Sequence, residues 1–204
     1  MIYLDNAATT IRKAPGVAEA VLQAMSGFGN AGRGVHEASL EASRAIYQTR
    51  RMLADLFHAD SPSHIAFTAN ATQALNTAIF GTLGPGDHVV TTAREHNSVL
   101  RPLYLMQERG VSVTIVPADK NGAVSEEAVI GALLPQTRAV VCAHGSNVTG
   151  DLMDLEKIGR ATSARGILLI VDAAQTAGCI PIDVQRMHID ILCFTGHKGL
   201  RGPQ

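Results

Sequence analysis

Of six short apolar runs in this chain, five lead into residues whose side chains bind or react. After "HIAFTA" (64–69) come Asn70, Ala71 and Thr72; after "HVVTT" (88–92) come Glu95, His96 and Asn97. "AVVCAH" (139–144) leads to Ser146, Asn147 and Thr149, "ILLIVDAA" (167–174) holds Asp172 and leads to Gln175, and "DILCFTG" (190–196) holds Thr195 and leads to His197 and Lys198. The remaining run, "VTIVPA" (113–118), completes the set. In an open parallel sheet the carboxyl ends of the strands share one edge, and ligands bind there. That edge would gather an acid, a lysine, histidines, side-chain amides and hydroxyls.

Those types suit a phosphorylated aromatic aldehyde. Ala71 and Thr72 open the helical stretch "NATQALNTAIFG", and the free N–H groups and positive dipole end of a helix N-terminus suit a phosphate. An ordinary Thr or Asn cap explains the same residues. Asp172 follows "ILLIV", so its carboxylate is expected to be largely buried and to need a cation. A protonated pyridine nitrogen would serve, as would a nearby arginine. Lys198 is one of four lysines, with Lys13, Lys120 and Lys157, and the one at the ligand edge. A lysine amine there can form a Schiff base with an aldehyde. His96 is suited to stacking on a flat ring or relaying protons, and Gln175 and Asn147 to donating to a ring oxygen; loop and turn roles account for each of the three taken alone.

The elements that must position these residues follow from periodicity and punctuation. "SVLRPLYLMQERG" opens on a capping Ser and closes on Gly110; "SEEAVIGALLP" carries two glutamates in its first turn; "DLEKIGRATSARG" ends at Gly166. Strands apolar on both faces that alternate with helices imply a mostly parallel sheet covered on both sides, an α/β three-layer α-β-α sandwich. Further upstream, residues 15–26 read as a helix with Pro15 at its first position and Gly27 as its stop. A longer helix over 37–57 places Ala42, Ile46, Leu53, Leu56 and Phe57 on one face. The first 15 or so residues fit neither pattern and are expected to belong to another structural unit.

Composition excludes several classes. A formal charge of −1 from 17 basic and 18 acidic residues, with no long run of either sign, gives no electrostatic footprint for nucleic acid or an anionic membrane. Cys142, Cys179 and Cys193 have no paired spacing, which argues against a disulfide framework and for a reducing compartment. The N-terminus has no apolar signal region, and no apolar stretch approaches a membrane span, so the expectation is cytoplasmic. "GFGNAG" (27–32) matches GxGxxG but follows a helix, where a dinucleotide loop must follow a strand, and reads as a flexible turn. The histidines show no metal-binding spacing, so no metal is expected.

"YLDNAATT", "FTANATQALN", "EHNSVLRP", "HGSNVTG", "VDAAQTAG" and "FTGHKGLRGPQ", in this order and at these separations, resemble the class V aminotransferase group of pyridoxal-phosphate enzymes. The likeness runs from residue 2 to 204 and is nearest to cysteine desulfurases and selenocysteine lyases. It implies a fold type I large domain over residues 16–204, with residues 1–15 joining the small domain of a full-length relative. It further implies pyridoxal 5'-phosphate as cofactor, held by Lys198 as a Schiff base, with Lys198 later moving the substrate's α-proton. Asp172 would keep the ring nitrogen protonated and His96 would stack on the ring. Gln175 and Asn147 would lie against the phenolic oxygen, and Ala71, Thr72, Thr195 and His197 would hold the phosphate. "NAGRGVHEAS" resembles a segment that reaches toward the active site, which adds Arg33 and His36 as candidates.

The implied reaction removes sulfur from L-cysteine to give L-alanine and an enzyme persulfide, or does the same with selenium from selenocysteine. The implied partners are that amino-acid substrate, a sulfur-acceptor protein and a second copy of the chain as a homodimer. Relatives continue beyond the lysine into a carboxylate-gripping arginine, a loop bearing the sulfur-accepting cysteine, and a small domain. The chain therefore resembles an N-terminal piece, expected to be inactive alone. None of its three cysteines matches the persulfide position. Other reactions of the same scaffold (transamination, epimerisation, β-elimination), a non-catalytic cofactor-binding module and a nucleotide-binding regulator are the competing readings.

Overall fold

The computed structural model describes residues 2–204. The chain divides into two compact units: one runs to Phe67 and also takes up Gly196–Gln204, and the other is Thr68–Thr195.

The Thr68–Thr195 unit is built on five parallel strands, β1 (His88–Thr92), β2 (Ser112–Val116), β3 (Thr137–Ala143), β4 (Leu168–Asp172) and β5 (Ile191–Cys193), in the order β2-β1-β3-β4-β5. Successive side chains on a strand face opposite ways, so each strand feeds two cores. Val89, Ala139, Val141, Ile170 and Cys193 pack in one cluster with Leu75, Ile79, Val99, Leu103 and Met106. These helical residues come from α3 (Ala71–Thr82) and α4 (Asn97–Glu108). Val90, Val140, Cys142, Leu169 and Val171 alternate with that set and are fully buried too. They occupy the opposite face, where α5 (Glu126–Gly131) meets β1 and α6 (Leu155–Ser163) meets β4. This is the expected α-β-α sandwich, with every strand pairing parallel.

The strand order reverses between β1 and β3, which makes that gap the topological switch point and the place where a ligand crevice opens in such sheets. The helix starts are capped as the sequence demands: Asn70 accepts from Gln73 N–H, Ser125 from Ala128 N–H and Asp154 from Lys157 N–H. Pro102 lies inside α4 and has no N–H to give the Ser98 carbonyl. Asn76 of α3 supplies a donor instead, its Nδ2 lying 3.4 Å from that oxygen. The bond ties the second turn of α3 to the first turn of α4.

Two expectations fail in this unit and at its border. The run 64–69 forms no strand: Pro62–His64 is a 3-10 turn, and Ile65 is extended without strand pairing among the described residues. Propensity alone does not make a strand where no neighbour offers a hydrogen-bonding edge. The sheet therefore has five strands instead of six. The cap of α4 is His96 and not Ser98, because the imidazole Nδ1 accepts from Ser98 N–H in the way an Asx side chain does.

In the other unit, α1 spans Val17–Gly27, two residues later than expected, because Gly16 adopts φ 81° and the first helical turn cannot begin before it. Helix α2 spans Glu37–Phe57. Ala42 and Phe57 are buried as foreseen, whereas Ile46 and Leu56 are 40% and 48% exposed; Ser39 and Ala54 complete its buried set. Among the described residues no helix is long and apolar enough to cross a membrane.

Gly159 of α6 lies against the Met187 carbonyl so closely that a Cβ would drive into it. Gly159→Ala is expected to destabilise the protein by about 1–3 kcal/mol, read as a lower urea midpoint at unchanged slope. Ala substitution at Gly131, which faces open space, is the contrast and should leave the midpoint no lower.

Candidate functional site

Each strand end in the Thr68–Thr195 unit delivers its residues to the carboxyl edge of the sheet. Asp172 is the last residue of β4, 7% exposed, and pairs in register with Ala143. Its Oδ1 accepts from Ala174 N–H at 2.9 Å, and its backbone carbonyl accepts from His144 N–H. Gln175 follows in a turn closed by Thr176 N–H and Ala177 N–H on the Ala173 carbonyl, and Thr176 Oγ1 lies 2.9 Å from His144 Nδ1. The close fit there requires Gly145, since a Cβ would come within 2.8 Å of Thr176 Cγ2.

Beyond β3 the chain folds over on itself. Ser146 N–H donates to the Asp151 carbonyl, and Ser146 Oγ accepts from Val148 and Thr149 N–H. Asn147 is exposed on this loop. Beyond β1, His96 is exposed and its ring is held by Ser98, 2.8 Å from Oγ. The N-terminus of α3 presents Ala71 and the exposed Thr72, whose N–H groups precede the first intrahelical acceptor. The Asn76 bond places that helix start beside the start of α4, hence beside His96. Thr195, 9% exposed, follows β5. This unit thus brings Ala71, Thr72, His96, Asn147, Asp172, Gln175 and Thr195 to the carboxyl ends of its strands and the helix starts that follow them.

His197 and Lys198 belong to the other unit, where the N-terminal segment holds them. Thr10 N–H donates to the His197 carbonyl and Thr10 Oγ1 to the Lys198 carbonyl at 2.8 Å, while Thr9 Oγ1 lies 2.9 Å from His197 Nδ1. Arg201, with φ 58°, turns its guanidinium onto the Arg12 and Lys13 carbonyls. Burial, with Lys198 and Lys13 adding to it, pushes the His197 imidazole below its ordinary value. His36 caps α2 by backbone and lies 3.0 Å from Ser39 Oγ, and Arg33 is exposed in the same loop.

Two groups of residues escaped the sequence reading. Thr9 and Thr10 sit 188 residues from the atoms they hold, and only their place in "YLDNAATT" hinted at a role. Glu95 was noted only as a strand-end residue. Its carboxyl is 8% exposed, and its Oε1 accepts from Thr92 Oγ1 at 2.6 Å and Ala143 N–H at 3.0 Å. Its Oε2 is buried with no hydrogen-bond partner among the described residues. Burial above all, with Asp172 adding to it, pushes Glu95 up to about 7 against the pull of its hydrogen bonds and of Arg94. The thiols of Cys142 and Cys193 are pushed up by burial as well, that of Cys193 to about 12, so neither is a ready nucleophile.

The family model for class-V aminotransferases matches residues 2–204. The chain belongs to that family. It is 36% identical to a cysteine desulfurase, IscS, from Serratia proteamaculans, covering 100% of this chain and 51% of the relative. It is 37% identical to a probable cysteine desulfurase from Methanothermobacter thermautotrophicus, covering 99% and 50%. Among solved structures, the apo cysteine desulfurase from Thermococcus onnurineus superposes with a TM-score of 0.92 at 32% identity, over 100% of this chain and 51% of that one. The protein SspA in complex with cysteine gives 0.92 at 33%, over 100% and 59%. The chain spans about half the length of the curated relatives it matches. Members of this family depend on pyridoxal phosphate, and the donor set fits that group: a buried carboxylate for a ring cation and an open helix N-terminus for a phosphate.

Because Glu95 is raised from 4.5 to about 7, the folded state holds a proton that the unfolded chain has released across that window. Stability is therefore expected to fall as pH rises from about 4.5 to 7, by roughly 3 kcal/mol if unopposed. Urea titrations of wild type and Glu95→Gln at several pH values test this: the amide keeps the acceptor oxygen, and the variant's stability should lack that decline.

Proposed function

We propose that this chain carries the pyridoxal-phosphate site of a cysteine desulfurase, which takes L-cysteine to L-alanine and leaves sulfur on the enzyme. The observation that carries the reading is Asp172, a buried carboxylate at the carboxyl end of β4, the strand edge from which α3 and α4, bonded through Asn76 and Ser98, also start. The cysteine-desulfurase names of its relatives and the cysteine complex of SspA support the choice of substrate.

In this reading residues 16–204 form the cofactor domain, and residues 1–15 the segment that joins a small domain. Bound to the chain, pyridoxal phosphate supplies an electron sink that stabilises negative charge at the substrate's α-carbon. Asp172 holds the proton on the ring nitrogen. The Ala71 and Thr72 N–H groups, the Thr72 and Thr195 hydroxyls and His197 hold the phosphate. The His96 ring, fixed by Ser98, offers a flat face for stacking, and Gln175 and Asn147 donate to the phenolic oxygen. The Lys198 amine anchors the cofactor and takes up the α-proton. The bonds from Thr10 to the His197 and Lys198 carbonyls fix the backbone from which that amine extends. A homodimer, a sulfur-accepting partner protein and a cytoplasmic setting belong to the same reading.

Added pyridoxal phosphate should give the purified chain a visible absorption band. Borohydride should then fix a cofactor-sized mass on the peptide that contains Lys198. Lys198→Ala should lose the fixed mass, and Asp172→Ala should weaken cofactor binding about tenfold or more. A mass spread over Lys13, Lys120 and Lys157 would overturn the assignment of Lys198.

A further inference from the structure

Glu95 sits at the switch point between β1 and β3, and its placement has no explanation in packing alone. Its Oε1 is pinned from both strands, by Thr92 Oγ1 at the end of β1 and by Ala143 N–H at the end of β3. Ala143 is the register partner of Asp172 on β4, so the Glu95 carboxyl, bonded at the end of β3, and the Asp172 carboxylate at the end of β4 stand about 5–10 Å apart by strand spacing. Both are more than nine-tenths buried. Two like charges so close and so dry oppose each other's ionisation.

The two acids are not equivalent. The bonds from Thr92 and Ala143 both fall on one oxygen of Glu95, which leaves Oε2 without a hydrogen-bond partner among the described residues and available to carry the proton. Asp172 accepts an N–H bond from Ala174, which favours its charged form. The other titratable and charged groups around Glu95 are Arg94 and His96 on its own loop, Cys142 on β3 and His144 just beyond it. Arg94 pulls toward ionisation, and the Cys142 thiol, pushed far up by burial, is neutral.

We propose that Glu95 is a positioning residue for charge: it remains a carboxylic acid while Asp172 is the single anion, and it releases its proton to solvent when a ring cation settles on Asp172. The proposal rests on Asp172 being the partner of the cofactor's ring nitrogen. A cation at Asp172 offsets the share of Glu95's raised proton affinity that the Asp172 charge adds to burial, and an ionised Glu95 in turn strengthens the hold on that cation. Linkage makes the two effects equal in size. The site therefore grips the cationic ring more tightly as pH rises through neutrality, and the gain is carried by a residue that need not touch the cofactor.

The experiment uses infrared difference spectroscopy of the whole chain, following the carboxylic-acid carbonyl band through a pH titration. Wild type should show a band that titrates near neutrality and is absent from Glu95→Gln, and Asp172→Asn should shift its midpoint down by roughly one pH unit. Pyridoxal phosphate added to wild type should shift the midpoint the same way, whereas inorganic phosphate, which has no ring nitrogen, should leave it in place. The cofactor comparison stands even if Asp172→Asn fails to fold. In parallel, cofactor affinity measured by absorbance should rise about tenfold more between pH 6 and 8 in wild type than in Glu95→Gln. A missing near-neutral band, a midpoint indifferent to both Asp172→Asn and the cofactor, or equal pH slopes in the two proteins would overturn the proposal. Failure of wild type to bind the cofactor would instead sink the cofactor reading, and the Asp172→Asn shift would still decide whether the two acids are coupled.

Discussion

The parallel register of five strands is the constraint on which the rest depends. Because every strand points the same way, each buried apolar run delivers its following residues to one edge, and residues far apart in sequence arrive there without any direct selection for proximity. Ala143 pairs with Asp172 across β3 and β4, Cys193 pairs with Asp172 across β4 and β5, and Ala143 also receives Glu95 from β1. A one-residue slip of β4 would turn Asp172 to the other face of the sheet and remove the carboxylate from its partners.

The cost of assembling polar groups on a buried edge is met by local hydrogen bonds. Ser146 satisfies two backbone N–H groups of its loop, the Asp172 carboxylate one of its own, and His96 one at the start of α4. Where α4 loses a bond at Pro102, α3 replaces it through Asn76, and the replacement also fixes the two helix starts beside each other. The loop after β1 is an exception, with Arg94 Nε and Glu95 Oε2 both buried without a hydrogen-bond partner among the described residues. Such an oxygen is tolerable for a carboxylic acid and much less so for a carboxylate, so burial pushes Glu95 up.

The other unit uses a different device. The turn that bears Lys198 is held by backbone and hydroxyl bonds from residues 9–14, at the opposite end of the sequence. Residues 9–14 fit no helical or strand pattern because their order comes from these distant partners. Thr9, Thr10 and Ala14 satisfy the carbonyls of His197, Lys198 and Arg201, three groups that have no regular element of their own to pair with.

The sequence by itself determined the layered architecture, the extents of α2 and β1, and the candidate residues at the strand ends. These follow from periodicity, side-chain chemistry and chain direction, all of which are local. The tertiary structure alone decided that 64–69 joins no strand among the described residues, that His96 and not Ser98 caps α4, and that Ile46 and Leu56 stay exposed. It also decided the role of Glu95. A glutamate after a strand is ordinary in sequence; only the meeting of β1 with β3 buries it, and only the register of β3 with β4 sets it near a second acid. Burial and charge proximity are properties of partners, and the partners of Glu95 lie about 50 and 80 residues further along the chain.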